Sequence, residues 1–175
     1  MEKLSLTQEW DKVFPKSDTV DHKKVTFHNR YGITLAADMF TPKSVVGKLP
    51  AIAVSGPFGA VKEQSSGLYA QKMAEYGFLT VAFDPSFTGE SGGSPRYVAS
   101  PDINTEDFCA AVDFLSVQEN VDTDRIGIIG ICGWGGMAIN AAAQLELAEP
   151  GVFIAKNPTV SCISGFPAYF MDRLR

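Results

Sequence analysis

The chain has 175 residues, a length that suits a single domain. Hydrophobic residues make up 45% of it and charged residues 20%, so a packed core is expected and wholesale disorder is excluded. The net charge of −5 and pI of 5.0 leave no basic stripe to neutralise phosphates, which argues against a nucleic-acid partner.

Three cysteines (Cys109, Cys132 and Cys162) at wide spacing form neither a disulfide framework nor a CxxC metal site. With His22 and His28 as the only histidines, no metal site is expected. The N-terminus is charged and lacks an apolar h-region, so a reducing, cytoplasmic setting is the expectation.

Residues 1–22 read as a polar leader packed on the surface, with Trp10 and Phe14 scattered through it. Strands at 24–28 and 33–40 flank Asn29-Arg-Tyr-Gly32 and suggest an antiparallel hairpin, which Thr41-Pro42 breaks. A loop covers 45–48. Residues 51–54 are a short apolar run between Pro50 and Ser55-Gly-Pro57, the pattern of a buried parallel strand. Ser65 or Ser66 can cap a helix bearing Leu68, Ala70, Met73 and Ala74, which Gly77 closes. A second buried strand, 79–83, ends at Asp84-Pro85, and a Gly/Ser/Pro-rich loop spans 86–102.

Asn104 or Thr105 starts a helix with Phe108, Ala111, Val112 and Leu115 on one face. Residues 122–124 read as a turn, 126–131 as a strand and 133–147 as a helix. The uncharged stretch 126–143 approaches the length of a membrane span, but its glycine cluster divides it into a strand and a helix. A strand at 159–163 and a short helix at 168–174 are weaker signals. The expected organisation is a leader (1–22), an α/β core (23–147) and a divergent C-terminal segment (148–175). The alternation of strands and helices implies a largely parallel sheet.

Ile126-Gly-Ile-Ile-Gly-Ile-Cys-Gly-Trp-Gly-Gly136 carries the chemistry. It sets one reactive side chain, Cys132, on a sharp strand-to-helix turn. Glycines on both sides suit a strained turn packed against its own strand and helix. The turn places Cys132 against the positive end of the following helix, and the N–H of Gly133 would point at a developing oxyanion.

This segment resembles the nucleophile elbow of α/β-hydrolases, and its cysteine form resembles dienelactone hydrolases and their relatives. Ser55-Gly-Pro-Phe-Gly59 lies where that family places its second oxyanion donor, here the N–H of Phe58 or Gly59. Val61-Lys-Glu-Gln64 resembles a signature of dienelactone-hydrolase-like and polyketide-transferase-like proteins. Asp84-x-x-x-x-Gly-Glu-Ser-Gly-Gly93 and Val121-Asp-x-Asp-Arg-Ile126 match the family's loop after the fourth strand and its entry to the fifth. The resemblance covers about residues 23–145. It implies an α/β-hydrolase-like, mostly parallel sheet with an N-terminal antiparallel hairpin, truncated after about the fifth or sixth strand. It further implies hydrolysis or transfer of a small ester, thioester or lactone acyl group, with no cofactor.

Two departures stand out. Trp134 occupies a position that is usually small in the family, and is expected to crowd the elbow beside the substrate. No histidine follows Cys132, and the carboxylates that do are Glu146, Glu149 and Asp172. Weak or absent turnover is therefore expected, and a non-catalytic binding or assembly module is the alternative. A sheet cut short would leave a central strand as an edge and invite self-association. Gly133-Trp-Gly-Gly-Met-Ala138 also satisfies the dinucleotide pattern G-x-G-x-x-A, but it arrives at the fifth strand and lacks the usual downstream acid. Cys109 and Cys162 are expected to be structural and His28 a packed or surface residue. Asp84 is expected to cap its loop or line the site mouth, and Glu63 to position the oxyanion loop.

Overall fold

A computed structural model describes residues 4–44 and 46–145, together with the backbone of strands at Val152–Lys156 and Thr159–Cys162. The elements run β1 (Val20–His28), β2 (Thr34–Pro42), β3 (Leu49–Ser55), α1 (Ser65–Glu75), β4 (Leu79–Phe83), α2 (Pro101–Ser116), β5 (Val121–Ile131), α3 (Trp134–Gln144), β6 (Val152–Lys156) and β7 (Thr159–Cys162). They form one sheet in the order β1-β2-β4-β3-β5-β6-β7. The four central strands β4, β3, β5 and β6 are parallel, while β1, β2 and β7 run antiparallel to their neighbours.

β3 and β4 are buried on both faces, which is why they read as continuous apolar runs. Their side chains still alternate. Ala51 and Ala53 of β3 join Val81, Phe83, Phe108, Leu115, Trp134 and Met137 in one core layer, whereas Ile52 and Val54 join Phe14, Phe40, Met73, Ala74 and Ile129 in the other. Helices α2 and α3 cover the first layer, and α1 with the leader covers the second.

The chain leaves β3 through α1 to β4 on one side, then crosses back through α2 to β5 on the other. Strand order thus reverses at β3, and such a reversal opens a crevice at the carboxyl ends of the strands. Ser55 is the register partner of Gly130, so the loop after β3 and the turn after β5 emerge side by side. Topology alone sets the loop that begins at Gly56 beside the turn that carries Cys132.

Several boundaries differ from the sequence expectations. The hairpin is longer at its open end: β1 begins within the expected leader, and Thr41 and Pro42 belong to β2, opposite Asp21 and Val20. Residues 122–124 are not a turn but part of β5, whose polar beginning is exposed. Helix α2 starts at Pro101 rather than Asn104 or Thr105, because proline at the first helical position gives up an N–H that would have no partner there. Neither Ser65 nor Ser66 caps α1. Both are helical, and Gln64 holds the cap position. β6 was not marked by the sequence, and it covers the outer side of β5, so among the described strands the sheet ends at β7 and β1 and not at a central strand. The expected helix at 168–174 lies outside the described residues. No helix among the described residues is long and apolar enough to cross a membrane.

Candidate active site

Cys132 sits between β5 and α3 with φ of 61°, a left-handed conformation that costs a non-glycine residue energy, and its side chain is exposed. The turn fits because its neighbours are bare. A Cβ on Gly130 would run into the Trp134 carbonyl and stand 2.8 Å from Ala138 Cβ, so only glycine lets α3 fold back onto the strand. Gly135 donates to the Cys132 carbonyl at 3.1 Å and closes the turn. Gly133 holds the cap position of α3, whose first N–H groups have no partner within the helix.

The loop after β3 leans on this turn. Gly56, at φ of 97°, lies so close that an added Cβ would be 2.5 Å from the Ile131 carbonyl oxygen and 2.6 Å from Trp134 Cδ1. Phe58 is half exposed, and its ring occupies the space that a Cβ on Gly133 would need. Gly59 follows in another left-handed position. The Phe58 ring thus lies over Gly133, the residue that follows Cys132, and Gly59 is the next residue of that loop. Trp134 is placed differently. Its indole is 3% exposed and packs in the core against Phe58 (5.5 Å between centroids) and Phe108 (6.4 Å), leaving the cysteine open. Its Nε1 is buried without a hydrogen-bond partner among the described residues.

The histidines are elsewhere. His22 on β1 shares a 2.7 Å hydrogen bond with Asp38, between the rings of Trp10 and Phe40. Lys12 pairs with the other Asp38 oxygen at 3.1 Å. Burial pushes the Asp38 carboxyl up, but His22, Lys12 and Lys24 outweigh it and hold the group below the usual carboxylate range. His28 is exposed at the end of β1. β1 lies four strands from β5, roughly 19 Å at the usual spacing of about 4.8 Å, so neither imidazole faces Cys132 across the sheet. Glu146, Glu149 and Asp172 lie outside the described residues, as does the Cys162 side chain. Cys109 is buried, and burial with Glu106 nearby pushes its thiol up to about 11, which suits a structural role.

Two buried polar networks hold the loops after β3 and β4, and sequence reasoning missed most of both. In the first, Lys62 is fully buried and spends its ammonium on three carboxylates: Asp84 at 2.8 Å, Glu90 at 2.7 Å and Glu63 at 2.5 Å. Its backbone N–H donates to the other Asp84 oxygen at 2.8 Å. Burial opposes charge on Lys62, yet the three carboxylates, Asp84 foremost, hold its ammonium well above the ordinary lysine range. Lys24 adds bonds to Glu90 (2.7 Å), Glu63 (3.1 Å) and Asp11 (3.3 Å), and the Thr7 N–H donates to Glu90 at 2.6 Å. Asp84 also accepts the Glu90 N–H at 2.9 Å, so it caps its loop as expected while anchoring a second one. Glu63 pairs with both lysines.

In the second network, buried Asp107 on α2 accepts from Asn29 (2.8 Å), the Ser86 N–H (2.8 Å) and hydroxyl (2.7 Å), and Asn104 (3.0 Å). Burial pushes its carboxyl up despite these donors. Together the networks tie the leader, the hairpin turn and the loop after β4 to one another. The beginning of the Gly/Ser/Pro-rich segment, at Ser86 and Glu90, is thereby fixed.

The family model for X-Pro dipeptidyl-peptidases (S15 family) matches residues 31–171. The chain belongs to the S15 family. Its sequence is 73% identical over 141 residues to PA2218, an uncharacterised protein of Pseudomonas aeruginosa, covering 80% of this chain and 38% of that one. The crystal structure of the same protein superposes with a TM-score of 0.85 over 88% of this chain and 48% of the solved one. A thiohydrolase of Aspergillus aculeatus is 38% identical over 93 residues, 53% of this chain and 29% of the relative. The α/β-hydrolase GrgF from a Penicillium species is 26% identical with a TM-score of 0.65, over 70% of this chain and 42% of that one. The α/β-hydrolase fold expected from the motifs is thus the fold of this S15 member. The chain spans less than half the length of each of these relatives.

Proposed function

We propose that this S15 member is an acyl hydrolase or acyltransferase acting on an ester, thioester or lactone through Cys132. In mode it follows the dienelactone-hydrolase-like and polyketide-transferase-like proteins that its motifs resemble. The observation that carries the reading is the exposed Cys132 at φ of 61°, with Gly133 at the cap of α3 and the Phe58–Gly59 loop against it. The similarity to a thiohydrolase supports the choice of substrate class.

In this reading the Cys132 sulfur attacks the acyl carbon and the carbonyl electron pair moves to oxygen. The N–H groups of Gly133 and of Phe58 or Gly59 stabilise that oxyanion. Collapse expels the alcohol or thiol and leaves acyl-Cys132, which water or an acceptor then cleaves. Both histidines lie on β1 and His22 is committed to Asp38, so neither is placed to take the thiol proton. Absence of a positioned base typically forfeits about 10² to 10⁴ in rate, so the 175-residue chain should acylate once and turn over poorly.

Intact-protein mass spectrometry after exposure to p-nitrophenyl acetate tests this. One acetyl group is expected, mapped to Cys132 and missing in Cys132→Ala, with little steady-state release of nitrophenol. An adduct that persists in Cys132→Ala would remove the reading. Rapid multiple turnover would remove the incomplete-site part of it.

A further inference from the structure

We infer that Lys62 is a positioning residue for the oxyanion loop, setting through Asp84 where the Phe58 and Gly59 N–H groups stand relative to Cys132. The inference rests on the acyl-transfer reading above. Residues 56–64 are held at two points. At the first, Gly56 abuts the Ile131 carbonyl and Trp134, and Ser55 Oγ donates to the Phe83 carbonyl at 3.0 Å. Beyond it the half-exposed Phe58 ring rests on Trp134 and over Gly133, but the backbone from Phe58 to Ala60 is held by little else: Gly59 is exposed, and the Ala60 N–H reaches back to the Pro57 carbonyl at 3.2 Å.

Lys62 is the second point. Its backbone N–H and its ammonium grip the two oxygens of one buried carboxylate, Asp84, each at 2.8 Å. That fixes both the position and the orientation of the peptide three residues after Gly59. Asp84 is itself immobilised at the end of β4, with its backbone N–H on the Ala36 carbonyl at 3.0 Å. Glu63 and Glu90 take the remaining ammonium protons, so Lys62 has no alternative partner to swing toward. The carbonyl of Lys62 also lies where a Cβ on Gly67 would be, which packs the loop end onto the first turn of α1. A donor pair must match the oxyanion closely, since a displacement of about 1 Å can cost roughly 10²-fold.

Two reactions of the same sulfur separate positioning from general structural support. Acylation by p-nitrophenyl acetate forms the S–C bond and releases p-nitrophenolate through an oxyanion. Alkylation by iodoacetamide displaces iodide at a saturated carbon and forms none. In Lys62→Met the rate of Cys132 acylation should fall about 10²-fold while its alkylation rate stays at the wild-type value. If Lys62→Met does not fold, Asp84→Asn carries the same test, because it keeps an acceptor for the Lys62 N–H but loses the charge that holds the ammonium. Rates that fall together, or acylation that does not change, overturn the positioning role. A wild-type chain that alkylates but never acylates at Cys132 removes the acyl-transfer reading, and this role with it.

Discussion

The two chain segments that meet at Cys132 are fixed by different physics. After β5 the backbone is held by contact: Gly130 lies against the Trp134 carbonyl, and Gly133 lies under the Phe58 ring. After β3 the loop is held at its far end by charge, through Lys62 and its three carboxylates. A segment held by contact fails when an atom is added and is indifferent to pH. One held by ion pairs tolerates small changes of shape but fails when a proton is added to the wrong group. The site therefore has two independent modes of failure, and substitutions can address each separately.

Gly56→Ala should produce the largest effect, because it attacks the point where the two segments touch. The left-handed backbone alone costs a non-glycine residue on the order of 1–3 kcal/mol. The new Cβ would also press on the Ile131 carbonyl oxygen at 2.5 Å, a main-chain atom that cannot swing aside. A loss of about 3 kcal/mol or more is expected in urea unfolding, equal at pH 5 and pH 8. A loss under about 1 kcal/mol would mean that the segments are less tightly apposed than described.

A smaller and more specific effect is expected at Gly133. Its φ of −60° suits alanine, so the Phe58 ring is the obstacle. Gly133→Ala should cost about 1–2 kcal/mol in the wild-type background and nearly nothing in Phe58→Ala. The cycle should therefore show a coupling of about 1–2 kcal/mol. Zero coupling would separate the ring from the turn.

The contact-held segment could be read from sequence, whereas the charge-held one could not. Glycines around Cys132 announce a turn that only bare backbone can make, and the apolar runs of β3 and β4 announce a buried sheet. Lys62 carries no such signal. A lysine between Val61 and Glu63 looks like a solvated loop, and only the fold reveals that Asp84, 22 residues away, closes over it. The same holds for Asp107 with Asn29, and for Lys12 with Asp38, whose partners are distant in the chain. Val61-Lys-Glu-Gln64 stood out by resemblance, and Glu63 was the residue singled out from it. Glu63 does join the network, but Lys62 is the member that grips Asp84 with both backbone and side chain. Pro101 misled for a related reason: counted in the Gly/Ser/Pro-rich loop, it delayed the expected start of α2 by three or four residues, although the first helical position accommodates it.

Acid offers the gentlest probe of the charge-held segment. Burial alone would raise the Glu90 carboxyl, but hydrogen bonds from Lys24, Lys62 and the Thr7 N–H bring it from an ordinary 4.5 down to about 2. As pH falls, the unfolded chain takes up this proton before the folded one. The stability that Glu90 contributes is thus complete above about 4.5 and is lost as pH falls toward 2. Asp11 and Asp38 are also held below their usual range and contribute to the wild-type acid sensitivity, so the difference between proteins is the informative quantity. Glu90→Gln should begin with a lower urea midpoint at pH 7 and lose less of it between pH 5 and pH 3 than the wild type does. Because Glu90 is partly open to solvent, the difference at pH 7 should also shrink in high salt, whereas the cost of Gly56→Ala should not. Parallel acid losses in wild type and Glu90→Gln would mean that the loop after β3, like the turn after β5, is held by packing.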